Sequence, residues 1–214
     1  MAKAIFFNIP ASGHVNPSLP LTTELVQRGE TVIYYLTEGY RAKVEATGAT
    51  FRAYPNLSDS YFEDAGLDGS NPPLTAKTMI TTSQQMLPAL LDMLRQEKPD
   101  YILYDSMCPW AALAGRILQI PSVSSQGLLV VRIADLLRWS MLRMVVSTVI
   151  KGMPTIRQYN KTMGEIAKEY HIKPLQLTDV FNAPADLTLC YTSAHFQPGG
   201  EKLKKRIAFV GPGI

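Results

Sequence analysis

Short runs of β-branched and aromatic residues alternate along the chain with longer stretches of helical spacing, and this alternation constrains the fold more than any other feature. Ala2 to Asn8 is a brief apolar run, followed by a Gly-containing turn and a helical pattern from Asn16 to Arg28. Gly29 supplies a helix stop, and Thr31 to Leu36 reads as a second buried strand. The unit is strand, helix, strand. A helix over Tyr40 to Thr47 and a strand over Ala49 to Ala53 repeat it. Tyr54 to Leu74 holds Pro55, Pro72, Pro73, Gly66 and Gly69, the composition of a long surface loop. Helical spacing resumes from Thr75 to Gln96 and Pro99 closes it; Tyr101 to Tyr104 is then a fourth strand, with Asp105 at its carboxyl end. Pro109 to Leu118 reads as a helix and Pro121 to Ser125 as a fifth strand. Two helical stretches, Val131 to Ile150 and Thr155 to Tyr170, precede strand-like runs at Asp186 to Tyr191 and Arg206 to Val210. Strands and helices in this rhythm predict an α/β domain with a doubly wound, mostly parallel sheet and right-handed crossovers. One domain over residues 1–214 is the expected organisation, with the turn at Val210 to Ile214 as its boundary.

Composition serves mainly to exclude. A net charge of +3 does not call for a polyanionic partner, so nucleic acid is not expected. Two cysteines, Cys108 and Cys190, offer neither a disulfide framework nor a zinc site, and the N-terminus has no secretory h-region, so a cytoplasmic location is expected. The apolar stretch from Gly127 to Ile150 is interrupted by Arg132, Asp135, Arg138 and Arg143, which rules out a spanning helix. Lying flat on a membrane is the alternative to packing in the core or lining a pocket.

In open α/β sheets ligands gather beyond the carboxyl ends of the strands. The first loop there, Ile9 to Pro17, carries His14, and Asp105 shares its edge if the first and fourth strands are parallel. A neutral imidazole can take a proton from a substrate hydroxyl, and a neighbouring carboxylate would orient the ring and stabilise the imidazolium. The bland alternatives are a His bonded to its local backbone and an Asp capping the next helix. There is no GxxxxGK phosphate loop, no GxGxxG, no GxSxG elbow and no HExxH, so phosphate-loop, dinucleotide, hydrolase-elbow and zinc chemistries find no motif. His171 and His195 sit in loops without acidic neighbours at a useful spacing and are expected to be solvated or structural.

The stretch from Ile9 to Leu21 resembles the GHxNPxLxL signature of the UDP-glycosyltransferase family, especially its bacterial macrolide-type members. Lys98 to Asp105 resembles the family's KPDxIxxD segment, and Phe209 to Pro212 resembles the strand and turn that close its N-terminal domain. The resemblance implies the N-terminal, acceptor-binding half of a GT-B fold built from two Rossmann-like domains. It implies His14 as the general base of an inverting transfer and Asp105 as its partner. It also implies a UDP-sugar as co-substrate, with no metal and no resident cofactor. Ser12 stands where many bacterial relatives carry a second His, and Ser12 and Gly13 beside the base are expected to contact substrate. Phe62, Met107, Trp110, Trp139 and Met144 are candidates for an apolar acceptor pocket, with plain core packing as the alternative for each. The family's HCGxxS-like donor signature is absent, so the UDP-sugar would be shared with a C-terminal domain and the chain alone is expected to be inactive. A non-catalytic small-molecule binder, or the membrane-docking subunit of a split transferase, is the rival reading; the basic cluster Lys202, Lys204, Lys205 and Arg206 would suit docking.

Overall fold

The computed structural model describes residues 1–55, 57–65, 70–127, 129–130, 139–200, 203 and 207–212, apart from the side chains of residues 62, 64 and 139–144. The strands are β1 (Lys3–Phe7), β2 (Thr31–Leu36), β3 (Thr50–Ala53), β4 (Tyr101–Asp105), β5 (Ser122–Gln126), β6 (Leu187–Cys190) and β7 (Ile207–Phe209). They form a seven-stranded sheet in the order β3-β2-β1-β4-β5-β6-β7, and every pairing is parallel. The doubly wound sheet expected from the sequence is the fold. Around it lie α1 (Ser12–Gln27), α2 (Arg41–Glu45), α3 (Tyr61–Asp64), α4 (Pro72–Glu97), α5 (Pro109–Leu118) and α6 (Trp139–Glu169).

Side chains alternate across each strand, so the inner strands must be apolar on both faces, and they are. Ala4, Phe6, Val32, Tyr34, Leu36 and Leu103 form one buried layer, to which α1 contributes Val15 and α2 Val44. Ile5, Phe7, Ile33, Ile102 and Tyr104 form the other, with Met79, Ile80 and Leu87 of α4, Trp110 and Leu113 of α5, and Tyr159 and Met163 of α6. The strand order turns around at β1: the chain first winds outward to β3, then crosses back to lay β4 on β1's other side. Phe7 lies opposite Tyr104 in that pairing, which brings the residues that follow them, Asn8 and Asp105, to one edge.

Three helices differ from the sequence reading. The turn expected around Gly13 is instead the first turn of α1, because the extended Ala11 accepts the N–H groups of His14 at 2.9 Å and Val15 at 3.0 Å. Pro17 and Pro20 leave the carbonyls of Gly13 and Asn16 without their helical donors, and both residues are exposed, so water can serve them. α4 begins at Pro72, where Asn71 caps the N–H of Leu74 at 3.2 Å and proline occupies the first position. The two helical stretches expected after β5 meet in α6, which continues through Pro154. The carbonyl freed there belongs to Ile150, a residue 66% exposed and open to solvent.

α4 stops at Lys98 in the left-handed region with φ 48°, one residue before Pro99. A side chain costs about 1–2 kcal/mol in that conformation, offset in part by the greater freedom a glycine has when unfolded. Lys98→Gly is therefore expected to stabilise the domain by about 0.5–1 kcal/mol. Urea denaturation of both proteins checks this, and an unchanged or lower midpoint would contradict it.

Candidate active site

The strand order reverses between β1 and β4, and a crevice opens beyond their carboxyl ends at such a point. α1 starts there, and its third residue is His14. Asp105, the last residue of β4, stands opposite with 0% exposure. Its Oδ2 lies 2.8 Å from His14 Nδ1, although the two residues are 91 positions apart in sequence. Its Oδ1 accepts the backbone N–H of Met107 at 2.8 Å. A buried carboxylate needs such partners.

Because Nδ1 faces a carboxylate, it carries the proton in the neutral ring and donates to Asp105. Nε2 is then left with its lone pair. The His14 side chain is 28% exposed, so the ring is reachable from solvent. Burial pulls the imidazole pKa down, but the hydrogen bond to Asp105 and its charge together outweigh this, and His14 titrates above its ordinary 6.5. The pair is thus a base raised and oriented by a buried acid.

Beneath the pair lies a buried polar cluster that the sequence did not announce. Asn8, immediately after β1, donates from Nδ2 to the Tyr34 hydroxyl at 2.7 Å, and more weakly to Ser18 Oγ and the His14 carbonyl, both at 3.3 Å. Its Oδ1 accepts the N–H of Ile9 at 2.7 Å. Ser18 Oγ donates to the Val15 carbonyl at 2.6 Å and lies 2.7 Å from the Tyr34 hydroxyl. Asn8, Ser18 and Tyr34 are each 0% exposed, so these bonds tie the first turns of α1 to β1 and β2 out of reach of bulk solvent. Burial pushes the Tyr34 phenol well up, and it stays neutral.

The other residues singled out from sequence fall in different places. Ser12 and Gly13 are exposed on the same turn as His14, with Ser12 Oγ 3.3 Å from the Tyr40 hydroxyl. Met107 is half-buried and meets Asp105 through its backbone. Trp110, expected as a pocket wall, is 0% exposed and packs edge-on against Tyr54 at 6.2 Å between ring centres. With no free surface it belongs to the core. The side chains of Phe62, Trp139 and Met144 lie outside the described residues. His171 and His195 are exposed, as expected.

Among the described residues no cluster of His, Cys, Asp and Glu is arranged to hold a metal ion, and no helix is long and apolar enough to cross a membrane. A cavity of about 230 Å³ lined by Tyr35, Tyr54, Met86, Leu90 and Met93 lies on the α4 side of the sheet, and His14 is not part of its lining.

No family model matches the chain. It is 25% identical over its whole length to the uncharacterized UDP-glucosyltransferase YojK of Bacillus subtilis (strain 168), of which it covers 53%. It is 30% identical, over 97% of its length, to the NDP-glycosyltransferase YjiC of Bacillus licheniformis, covering 50% of that protein. The crystal structure of the kitacinnamycin glycotransferase superposes with a TM-score of 0.78 at 24% identity, over 99% of this chain and 51% of that one. The chain spans about half the length of the curated relatives it matches. Its fold is that of one Rossmann-like half of a GT-B glycosyltransferase.

Proposed function

We propose that the chain is the acceptor-binding, N-terminal half of an inverting glycosyltransferase that uses a nucleoside-diphosphate sugar, UDP-sugar foremost. The observation that carries this is the 2.8 Å bond between His14 Nδ1 and Asp105 Oδ2 at the switch point of the sheet. His14 Nε2 takes the proton of an acceptor hydroxyl as its oxygen bonds to the anomeric carbon. The bond from that carbon to the diphosphate breaks on the opposite face, and the nucleoside diphosphate leaves with the electron pair. The imidazolium, stabilised by Asp105, then returns its proton to solvent. A general base of this kind contributes about 10²–10⁴-fold, and alignment of donor and acceptor contributes much of the rest. Ser12 and Gly13, exposed beside the base, are proposed to touch substrate. The diphosphate is proposed to be held by a second, C-terminal domain, as the relatives' doubled length suggests.

The acceptor is proposed to be a lipophilic molecule bearing a hydroxyl group, of macrolide or flavonoid size. Val146, Val149, Ile150 and Met153 recur at helical spacing along α6 and are 39–66% exposed. α6 packs close to the start of α4, where a Cβ on Gly152 would stand 2.7 Å from Pro73, so this apolar stripe lies toward the carboxyl edge that holds His14. In the two-domain enzyme, Ile150→Glu is expected to raise KM for a lipophilic acceptor about 10-fold with little change in kcat. Unchanged KM would separate the stripe from the acceptor.

The deciding experiment is chromatographic detection of glycoside. The 214-residue chain with UDP-glucose and a phenolic acceptor is expected to give none above background, and joining it to a nucleotide-binding half is expected to give product. No product from the joined protein across several donors would refute the proposal, and robust turnover by the chain alone would refute the division of labour.

A further inference from the structure

The geometry points to Gly127 as a positioning residue for the His14 and Asp105 pair: any side chain there would press from the end of β5 on the first turn of α1. A Cβ on Gly127 would stand 3.3 Å from the Gly13 carbonyl oxygen and 3.9 Å from His14 Nδ1. That nitrogen is the one that bonds Asp105. Gly127 is not among the residues with φ in the left-handed region, so it is space and not backbone conformation that calls for a glycine.

The β5 side of the contact is held more firmly than the α1 side. The Gln126 carbonyl accepts the N–H of Tyr191 at 3.1 Å, and Gln126 Nε2 donates to the Leu129 carbonyl at 2.9 Å, which pins the chain on both sides of Gly127. Across the gap, Pro17 has no N–H to hold the Gly13 oxygen, and a proline ring crowds the carbonyl four residues before it. The His14 N–H is committed to the Ala11 carbonyl and the His14 carbonyl to Asn8. A methyl at position 127 therefore requires the peptide between Gly13 and His14 to give by a few tenths of an ångström, and a branched side chain requires more. That moves the ring against an Asp105 carboxylate fixed from behind by Met107.

This deepens the general-base reading, but it is testable without sugar or acceptor. The chain has three histidines, and His171 and His195 are exposed references, so long-range nitrogen–proton NMR follows the midpoint and tautomer of His14 directly. Asp105 on β4 is the charged group acting on His14, and the nearby phenols of Tyr34 and Tyr191 are raised by burial and stay neutral through the titration. Gly127→Ala is expected to lower the His14 midpoint, and Gly127→Val to lower it by about one pH unit and mix the tautomers, since an adjacent carboxylate contributes about 1–3 units. Gly164→Ala, where nothing lies within 4 Å of the added carbon, is expected to leave both unchanged. A folded valine variant with the wild-type midpoint and tautomer overturns the assignment. Should the valine variant not fold, a wild-type titration in the alanine variant overturns it equally. Loss of transferase activity with an unaltered titration would count against Gly127 as a positioning residue and leave the catalytic reading intact.

Discussion

His14→Ala in the two-domain enzyme is expected to lower kcat for sugar transfer by about 10²–10⁴-fold while KM for the acceptor changes little. The size follows from what is removed. The variant keeps the sheet, the crevice and any sites for donor and acceptor, so binding and alignment persist. It loses the group proposed to receive the acceptor's proton as the new bond forms. An interaction made only in the transition state appears in kcat. Steady-state kinetics at neutral pH measure this, and near wild-type turnover would end the general-base assignment. The substitution itself is mild for the fold, since the ring is partly exposed, although among the described residues it leaves the Asp105 carboxylate with the Met107 N–H alone. A thermal scan beside the kinetics separates lost chemistry from lost structure.

Asp105→Asn is expected to be as damaging, on the order of 10³–10⁴-fold in kcat, by a different route. The amide can turn its NH₂ toward Nδ1, which forces that nitrogen to accept and places the proton on Nε2, where the base should be empty. The pH dependence carries the signature. In the wild type the hydrogen bond and charge of Asp105 raise the His14 pKa above 6.5 against the pull of burial, so the acid limb of the rate profile lies above that value. Without the carboxylate only burial remains, and the limb moves below 6.5 as the maximum falls. Stability follows the same linkage. A folded-state pKa raised above the unfolded one means that the pair's stabilisation is complete below about 6.5 and is lost as pH rises through the folded value. The stability difference between wild type and His14→Ala is thus expected to shrink from acid to neutral pH. A difference that grew instead would mean that the imidazolium is not favoured in the fold.

Much of this was legible in the sequence because its signals are local. Thr31–Leu36 and Pro109–Leu118 coincide with β2 and α5, since a dense β-branched run and a proline start leave little ambiguity. His14 and Asp105 could be paired because a parallel sheet brings strand ends to one edge whatever the distance along the chain. What escaped depends on relations that no short window contains. The start of α1 is set by Ala11 accepting two N–H groups, and Pro17 suggested a boundary where the helix in fact passes through. Trp110 has the composition of a pocket wall, yet only the stacking of α5 on the sheet decides that it has no exposed surface. Asn8 reads only as the end of the first apolar run, and its bonds to Tyr34 and Ser18 exist only once β1, β2 and α1 are assembled. Gly127 carried no signal at all, because its role is an absent carbon opposite a helical turn far away in sequence.

The placement of β4 beside β1 also governs when the His14 and Asp105 pair can come into being. Lys3–Phe7 and Tyr101–Asp105 become neighbours only after the ends of a segment nearly a hundred residues long have met, and every ladder in the sheet is closed by a non-local crossover. Chains with such high contact order fold slowly, because the entropy of closing each loop is lost before its contacts form. In the β3-β2-β1 portion that can assemble first, His14 has no carboxylate to face, and its imidazole would titrate without that partner until β4 docks. The upward move of the His14 titration during refolding would therefore time the docking of β4, which makes the site a clock for the closure of its own sheet.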